Sequence, residues 1–354
     1  MQKSNVAVII PNWNGSEDLP GAIDSILAQS YRNFALVVVD NGSSDSSKDI
    51  IESYKQKDDR VRSVYRDKNY GYTGGVNPGF EIAIAEGKTY AAPFNNDARA
   101  DKDWLKHLVA YMDNHQNCGI ATCNLLLGDG KTIDSTGDQY TVWGISFPRG
   151  RNEENAGQYN HDTAIFGASG GASIYRVDML KKVGLFDQDF FAYYEDVDLS
   201  FRAQLAGWKV AFVPKAIVYH DQGKTAARLA KRSADDHTPS PFITRQYMKN
   251  LPFVLIKDVP FGLLPRILPR FMLAYTIFFA NAFVHGRGIG ALQGALLFWL
   301  KLPKKLWQRR RIQSMRTVST GYIWDMLVHD LPPNALKLRR LRALWWRVTR
   351  RAAS

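Results

Sequence analysis

The chain has 354 residues, enough for one large domain with an extension or for two domains, and enough to bury a core without disulfide or metal staples. Hydrophobic residues make up 45%, which excludes a disordered, collagen-like or coiled-coil chain, and two cysteines five apart, Cys118 and Cys123, exclude a disulfide framework or a CxxC site. The net charge of +12 is uneven: residues 1–250 hold 28 Lys+Arg against 31 Asp+Glu, and residues 251–354 hold 18 against 3, so the last hundred residues call for an anionic partner such as a membrane surface, a nucleic acid or a phosphorylated substrate.

Met1–Asn5 is polar and Val6–Ile10 is too short for the apolar part of a signal peptide. The longest charge-free apolar stretch, sixteen residues between Arg270 and Arg287, is shorter than the about 20 that span a bilayer. A simple transmembrane protein is not expected; a membrane-surface protein is compatible.

In chain order, Val6–Ile10 is a short apolar run of the kind that forms a buried parallel strand, and Pro11–Gly15 turns the chain. Leu19, Ile23, Ile26 and Leu27 recur at helical spacing, with Pro20 in the first turn. Phe34–Val39 is a second strand, Ser47–Tyr54 a helix and Val61–Tyr65 a third strand. Gly74–Ala85 reads as a glycine-led helix, Tyr90–Phe94 as a strand, Trp104–Met112 as a helix and Gly119–Leu126 as a strand. Repeated βα units predict a mainly parallel sheet with helices on both faces. The rhythm then breaks. Gly128–Asn160 is predicted as a long excursion with hairpin-like pieces and Ala164–Tyr175 as a strand-like return. Val177–Val183 and Val197–Leu205 read as helices, Trp208–Phe212 and Ala216–Tyr219 as strands, and Gly223–Pro241 as a polar connection. The predicted domains are 1–245 and 246–354.

Ligands of parallel α/β sheets bind beyond the carboxyl ends of the strands. The residues there are Asn12 and Asn14, Asp40, the turn Asn69-Tyr70-Gly71, and Asn95-Asn96-Asp97. Four ends finishing in Asn or Asp exceed what turns require, although each alone is an ordinary turn residue. A carboxylate at Asp97 suits Mg²⁺ or Mn²⁺, which keep open positions for diphosphate oxygens; an Asx turn or helix cap is the bland reading. In Phe190–Leu199 aromatic residues lead into Glu195, Asp196 and Asp198. Such acids either complement a helix dipole or form a general base whose pKa rises against apolar walls and neighbouring carboxylates. Gly167–Ala172 permits close backbone approach or tight packing. The triplets Gly130-Lys131-Thr132 and Gly223-Lys224-Thr225 lack the earlier glycine of a P-loop, and His220 ends a strand-like run, where it is a structural histidine or a metal or phosphate ligand.

Five segments in order, Val8–Asn14, Val37–Asp45, Asn69–Asn77, Asn95–Asp97 and Gly184–Leu199, resemble the inverting family 2 glycosyltransferases of the GT-A fold, in particular the bacterial rhamnosyltransferase-like group. The resemblance covers about residues 5–225. It implies that Pro11, Asn12 and Asn14 line the nucleotide pocket, that Asp40 binds the base or ribose, and that Asn69, Gly71, Gly74 and Gly75 wrap the nucleotide. Asn95-Asn96-Asp97 stands where the family has its DxD motif, with Asn95 in place of the first Asp; Asp97 becomes the metal-binding acid, assisted by His220. Asp196, beside Glu195, becomes the general base, and Gly170, Gly171, Tyr193 and Glu195 face the acceptor. The implied reaction needs a divalent cation, Mg²⁺ or Mn²⁺, and inverts the anomeric carbon in one displacement. The implied donor is dTDP-L-rhamnose or a UDP-hexose.

Residues 251–354 hold Pro-broken amphipathic segments, Leu251–Pro260, Phe261–Pro269, Phe271–Val284 and Gly290–Leu302, followed by Lys304–Arg311 and a basic run from Lys337 to Arg351. Aromatic residues beside Lys and Arg predict helices lying in a membrane interface; a helical subdomain with a solvated basic face is the alternative, and no nucleic-acid motif is present. With the family, the tail implies a polyprenyl-diphosphate-linked glycan acceptor at the inner face of the cell membrane, in cell-surface polysaccharide synthesis. A nucleotidyltransferase is a weaker reading, since Pro11–Gly15 carries no Lys or Arg. So is a catalytically inactive membrane-binding protein, given an intact Asp97 and Asp196.

Overall fold

A computed structural model describes residues 5–221 and 240–331; Gly223-Lys224-Thr225 and the run from Lys337 to Arg351 lie outside the described residues. Strands β1 (Val6–Asn12), β2 (Phe34–Asp40), β3 (Val61–Tyr65) and β4 (Tyr90–Pro93) alternate with helices α1 (Leu19–Leu27), α2 (Ser47–Lys57) and α3 (Gly71–Ala85). Then come β5 (Ala98–Ala100), α4 (Trp104–Asn114) and β6 (Cys118–Leu127). The excursion after β6 supplies β7 (Ile133–Ser135) and the hairpin β8 (Asp138–Tyr140) and β9 (Ser146–Pro148). The expected return is split into β10 (Thr163–Ala164) and β11 (Ser173–Arg176), followed by α5 (Val177–Val183), α6 (Glu195–Leu205) and β12 (Lys209–His220).

The sheet runs β10-β12-β6-β11-β4-β1-β2-β3, with β5 and β7 paired to β12 and β6. Pairs β1/β2, β2/β3, β1/β4 and β6/β12 are parallel, and β11 runs antiparallel between β4 and β6. Because the chain winds outward from β1 to β3 and then returns to β4 on the other side, the order reverses at β1. That is where an α/β sheet opens a ligand crevice. One apolar core, with Ile23, Ile26, Leu105 and Leu108, fills one sheet face; another, with Val76, Phe80, Leu180 and Leu199, fills the other. This is the expected mainly parallel architecture.

The C-terminal helices are α7 (Pro241–Asp258), α8 (Leu264–Val284), α9 (Gly288–Ser314) and α10 (Thr320–Met326). A third core joins Phe190, Val197 and Phe201 to Leu251, Phe253, Ile267 and Ile323. The predicted boundary at 245/246 falls inside α7, whose buried face begins at Thr244. Polar locks supplement the packing. Lys257 lies within 2.5 Å of Asp198 and 2.7 Å of Asp187, and Lys305 lies within 2.6 Å of Asp187 and 2.8 Å of Asp189. Two segments expected on either side of Pro269 form the single helix α8. Phe261–Val284 is consequently long and apolar enough, by length and composition, to cross a membrane, contrary to the count made between charges. Only 22% of its most apolar window is buried.

Candidate active site

Asn12 and Asp40 stand opposite each other at the ends of β1 and β2. Asp40 is fully buried: one carboxylate oxygen accepts from the Ser43 amide at 3.2 Å, and Oδ1 has no partner. A buried acceptor without a donor at a strand end is able to receive an N–H or O–H donor. Asn14, at φ +49°, accepts from the Ser44 amide at 2.8 Å, while its own amide donates to Ser43 Oγ at 2.9 Å. Asn96 donates to Asn12 Oδ1 at 2.7 Å, which ties the β4 end to the β1 end.

Asn69 Oδ1 accepts from Gly71 N at 2.8 Å and from Asn41 Nδ2 at 3.1 Å, starting α3 three residues before the predicted Gly74. Asn41 also donates to the Gly71 carbonyl at 2.8 Å, so it shapes this turn although it was not among the candidate residues. Gly71 has φ +74°, and a Cβ there would meet the Phe191 carbonyl at 2.2 Å. At Gly75 a Cβ would meet Pro11 Cβ at 2.8 Å. Both glycines let the turn at the start of α3 close onto its neighbours.

Gly170 and Gly171 join the two halves of the site. Gly171 accepts from the Asn95 amide at 2.8 Å, and Gly170 donates its amide to Asp196 Oδ2 at 2.9 Å. The Tyr72 hydroxyl donates to the Gly170 carbonyl. Two adjacent residues thus bring together the Asn95–Asp97 segment, helix α3 and Asp196.

His220 ends β12 with Nε2 3.2 Å from Asp97 Oδ1 and 3.3 Å from Asn95 Nδ2. Its Nδ1 lies 2.8 Å from Asp134 Oδ2. Burial alone would lower the His220 pKa, but the hydrogen bonds to Asp134 and Asp97 push it up to about 10. The imidazole therefore bridges two carboxylates as a cation. Asp134 was not among the predicted residues, because its partner lies 86 positions away. It is 2% exposed and also pairs with Arg151 at 2.7 Å.

Asp97 Oδ1 and His220 Nε2 touch each other directly, so the pair would hold a divalent cation only with the proton on Nε2 gone; among the described residues no cluster of three or more His, Cys, Asp or Glu side chains could hold a metal. A site with two protein ligands leaves positions for diphosphate oxygens and water. A carboxylate behind a ligating histidine is the usual support for its orientation.

Around Asp196 the carboxyls differ. Glu195 is 5% exposed and Oε2 has no partner; burial first, and then Asp196, lifts its pKa well above the ordinary range. Asp138 is raised to about 8 by burial and the Asp196 charge. Burial raises Asp196 too, but the amides of Gly170 and Val197 donate to it and oppose the rise. Asp196 is partly exposed. It is therefore the member of the group with both a fixed orientation and access to a reactant. Tyr193, at φ +71°, turns its ring against Tyr247, 5.3 Å between centroids. The three positive-φ residues Phe191, Tyr193 and Tyr194 make the bend that delivers Glu195 and Asp196 to the start of α6.

The sheet order and the crevice at its reversal are those of the GT-A fold. The family model described as Glycosyl transferase family 2 matches residues 7–184, and the chain belongs to that family. It is 29% identical over 134 residues to the putative teichuronic acid biosynthesis glycosyltransferase TuaG of Bacillus subtilis, covering 37% of this chain and 52% of that one. The chain spans about half the length of the curated relatives it matches. S. aureus TarS 1–349 in complex with UDP superposes with a TM-score of 0.52 at 19% identity, covering 93% of this chain and 94% of that one. The mannosyltransferase PcManGT from Pyrobaculum calidifontis, with GDP-Man and Mn²⁺, gives 0.51 at 15% identity, over 92% and 88%. These superpositions establish the shared fold.

Proposed function

We propose that the chain transfers a sugar from a nucleoside diphosphate donor to a hydroxyl of a lipid-linked glycan acceptor in cell-surface polysaccharide synthesis. The observation that carries the reading is the Gly170–Gly171 junction, which ties the Asn95–Asp97 segment and Asp196 together through hydrogen bonds of 2.8 and 2.9 Å. The donor's base sits against Asp40 and its diphosphate against Asp97, His220 and Asn95. A bound Mg²⁺ or Mn²⁺ would neutralise charge on the departing diphosphate. Asp196 accepts the proton of the acceptor hydroxyl as that oxygen attacks the anomeric carbon from the face opposite the diphosphate, so the configuration inverts. Glu195, held protonated by burial, lines the acceptor side with Tyr193. The first donor to test is dTDP-L-rhamnose, then UDP-hexoses, in keeping with the resemblance to rhamnosyltransferases and with the UDP named for TarS.

The region up to residue 245 carries the reacting groups, and the basic region from 246, besides bracing the bend before Asp196 through Asn250, holds the enzyme peripherally at the inner face of the cell membrane. In support, α8 and α9 expose Met272, Leu273, Val284, Ile289, Trp299 and Trp307, and Asp325 and Asp330 are the acids of described residues 259–331. Exposed apolar surface rimmed by cations suits an anionic lipid interface. Calorimetry with UDP and dTDP, with and without Mn²⁺, tests the donor assignment. Metal-dependent binding of one nucleotide is the expected result; binding of neither by folded protein overturns it.

A further inference from the structure

Between the bend that precedes Asp196 and the helices α7 and α9 lies a cavity of about 340 Å³, bordered by Asp189, Arg245, Gln246, Lys249, Leu297 and Lys301. Its charge is unbalanced. Arg245, Lys249 and Lys301 face Asp189, and Asp189 is already held by Lys304 at 2.7 Å and Lys305 at 2.8 Å. Lys301 lies 3.1 Å from the same carboxylate. Lys249 is 6% exposed and donates to the Phe190 carbonyl at 3.2 Å; burial, together with the neighbouring Arg245, pushes its pKa down to about 8.

One donor awaits a partner: the buried Arg245 Nε has no hydrogen bond, its guanidinium lying 5.1 Å from the Phe242 ring centre. A guanidinium N–H left unpaired among excess positive charge calls for an anion with several acceptor oxygens. Next to the cavity the surface changes to hydrocarbon. Leu297 lines it, and Leu296, Trp299 and Leu300 on the same helix are 60–66% exposed. Phe191 borders it as well, and the Phe191 carbonyl accepts from the Thr73 amide at 3.1 Å on the nucleotide side of the bend. The cavity and the crevice therefore share one wall.

We infer that this cavity binds the diphosphate of the lipid-linked acceptor, with the lipid chain on the apolar face of α9 and the glycan directed toward Asp196. The inference rests on the acceptor class proposed above. Arg245 supplies N–H donors for phosphate oxygens, and Lys301 and Lys249 supply point charges.

The test uses the full chain with farnesyl diphosphate as probe, in EDTA so that no cation recruits the diphosphate to Asp97 and His220. Wild type should bind farnesyl diphosphate and not farnesol. The double variant Arg245→Gln/Lys301→Gln should lose at least about tenfold in affinity, the scale of one charge-assisted hydrogen bond. The charge-preserving Arg245→Lys/Lys301→Arg should bind more tightly than the double glutamine variant. UDP affinity with Mn²⁺, measured on the same preparations, should not move, which separates this site from the donor site. No binding of farnesyl diphosphate by wild type, or an unchanged double variant, overturns the inference while leaving the donor reading standing. Phosphatidylglycerol vesicles are the other arm. If the double variant loses vesicle binding and keeps farnesyl diphosphate binding, the cavity holds a bilayer headgroup and the acceptor assignment falls. Loss of UDP binding by wild type would instead refute the glycosyl-transfer reading itself.

Discussion

Asn250 is expected to matter for turnover although it lies on α7, outside the crevice. It is fully buried, and its side-chain nitrogen donates to the carbonyls of Phe190 at 3.1 Å, Ala192 at 2.9 Å and Tyr193 at 2.7 Å. Those carbonyls belong to the bend in which Phe191 has φ +66° and ψ −62°, with the Ala192 amide donating to the Phe190 carbonyl at 2.8 Å. That is the rarer, strained form of γ-turn. Left-handed backbone costs about 1–2 kcal/mol per residue, so Phe191, Tyr193 and Tyr194 together hold about 3–6 kcal/mol. In Asn250→Ala, Lys249 still serves Phe190, whereas Ala192 and Tyr193 lose this donor. At about 1–2 kcal/mol per carbonyl the clamp weakens by about 2–4 kcal/mol, comparable to the strain it opposes. The bend then relaxes and Asp196 leaves its position in most molecules. Turnover, read as release of nucleoside diphosphate from the donor, should fall about a hundredfold, matching about 2.7 kcal/mol. UDP affinity should stay within about threefold, because the side-chain hydrogen bonds of Asn250 go to Phe190, Ala192 and Tyr193 and not to Asn12, Asp40 or Asn69. A melting curve establishes that the variant is folded. Turnover near wild type, or a fall in UDP affinity as large as the fall in turnover, would refute the clamp.

Asp196→Asn should lose about 10²–10⁴ in turnover with nucleotide binding intact, the range for removing a general base; a fully active variant would move the base elsewhere. Asp134→Asn should weaken Mn²⁺ binding in the presence of UDP about 10–100-fold by paramagnetic resonance, the usual effect of losing the carboxylate behind a ligating histidine. Unchanged Mn²⁺ affinity would make Asp134 only a structural partner of Arg151. Replacing Trp299 and Leu300 by serine should weaken sedimentation with anionic vesicles by at least about tenfold, since burying one such side chain contributes about 1.5–3 kcal/mol. Burial would raise the Asp187 carboxyl, yet Lys257 and Lys305 hold it well below the ordinary carboxylate range, and Asp189 is held down to about 2 by Lys304 and Lys305 against its own burial. A carboxylate whose pKa is lower in the folded state contributes its stability above its unfolded value of about 3.9 and loses it as pH falls through the folded value. The urea midpoint should therefore drop below pH about 4, with a shallower fall in Asp187→Asn; identical acid profiles would remove Asp187 from the lock.

What could be read in the sequence was local. Strands β1, β2 and β4 are short apolar runs that end in or run into Asn or Asp, so both their presence and their polar ends follow from neighbouring residues. The cluster at Glu195–Asp198 was equally visible, and the raised pKa values of Glu195 and Asp196 follow from burial, whereas Asp198 is lowered against its burial by Arg202 and Lys257, partners the local sequence does not reveal as a set. Where local signals conflict with tertiary pairing, the reading fails in a particular way. Pro214 and Lys215 break the pattern of β12 into two expected strands, but pairing with β6 resumes at Ile217 after a register shift and yields one strand that carries His220 to the crevice. Pro269 likewise suggests a break, yet α8 runs through it. The residues that went unseen, Asp134 and Asn250, act over separations of 86 and 57–60 positions through a side chain whose type alone says nothing about its partner. Asn250 bears most directly on function, because it makes the first turns after the basic boundary part of the apparatus that aims Asp196. A chain cut near residue 245 would keep every motif of the family resemblance and lose the donor that holds the bend.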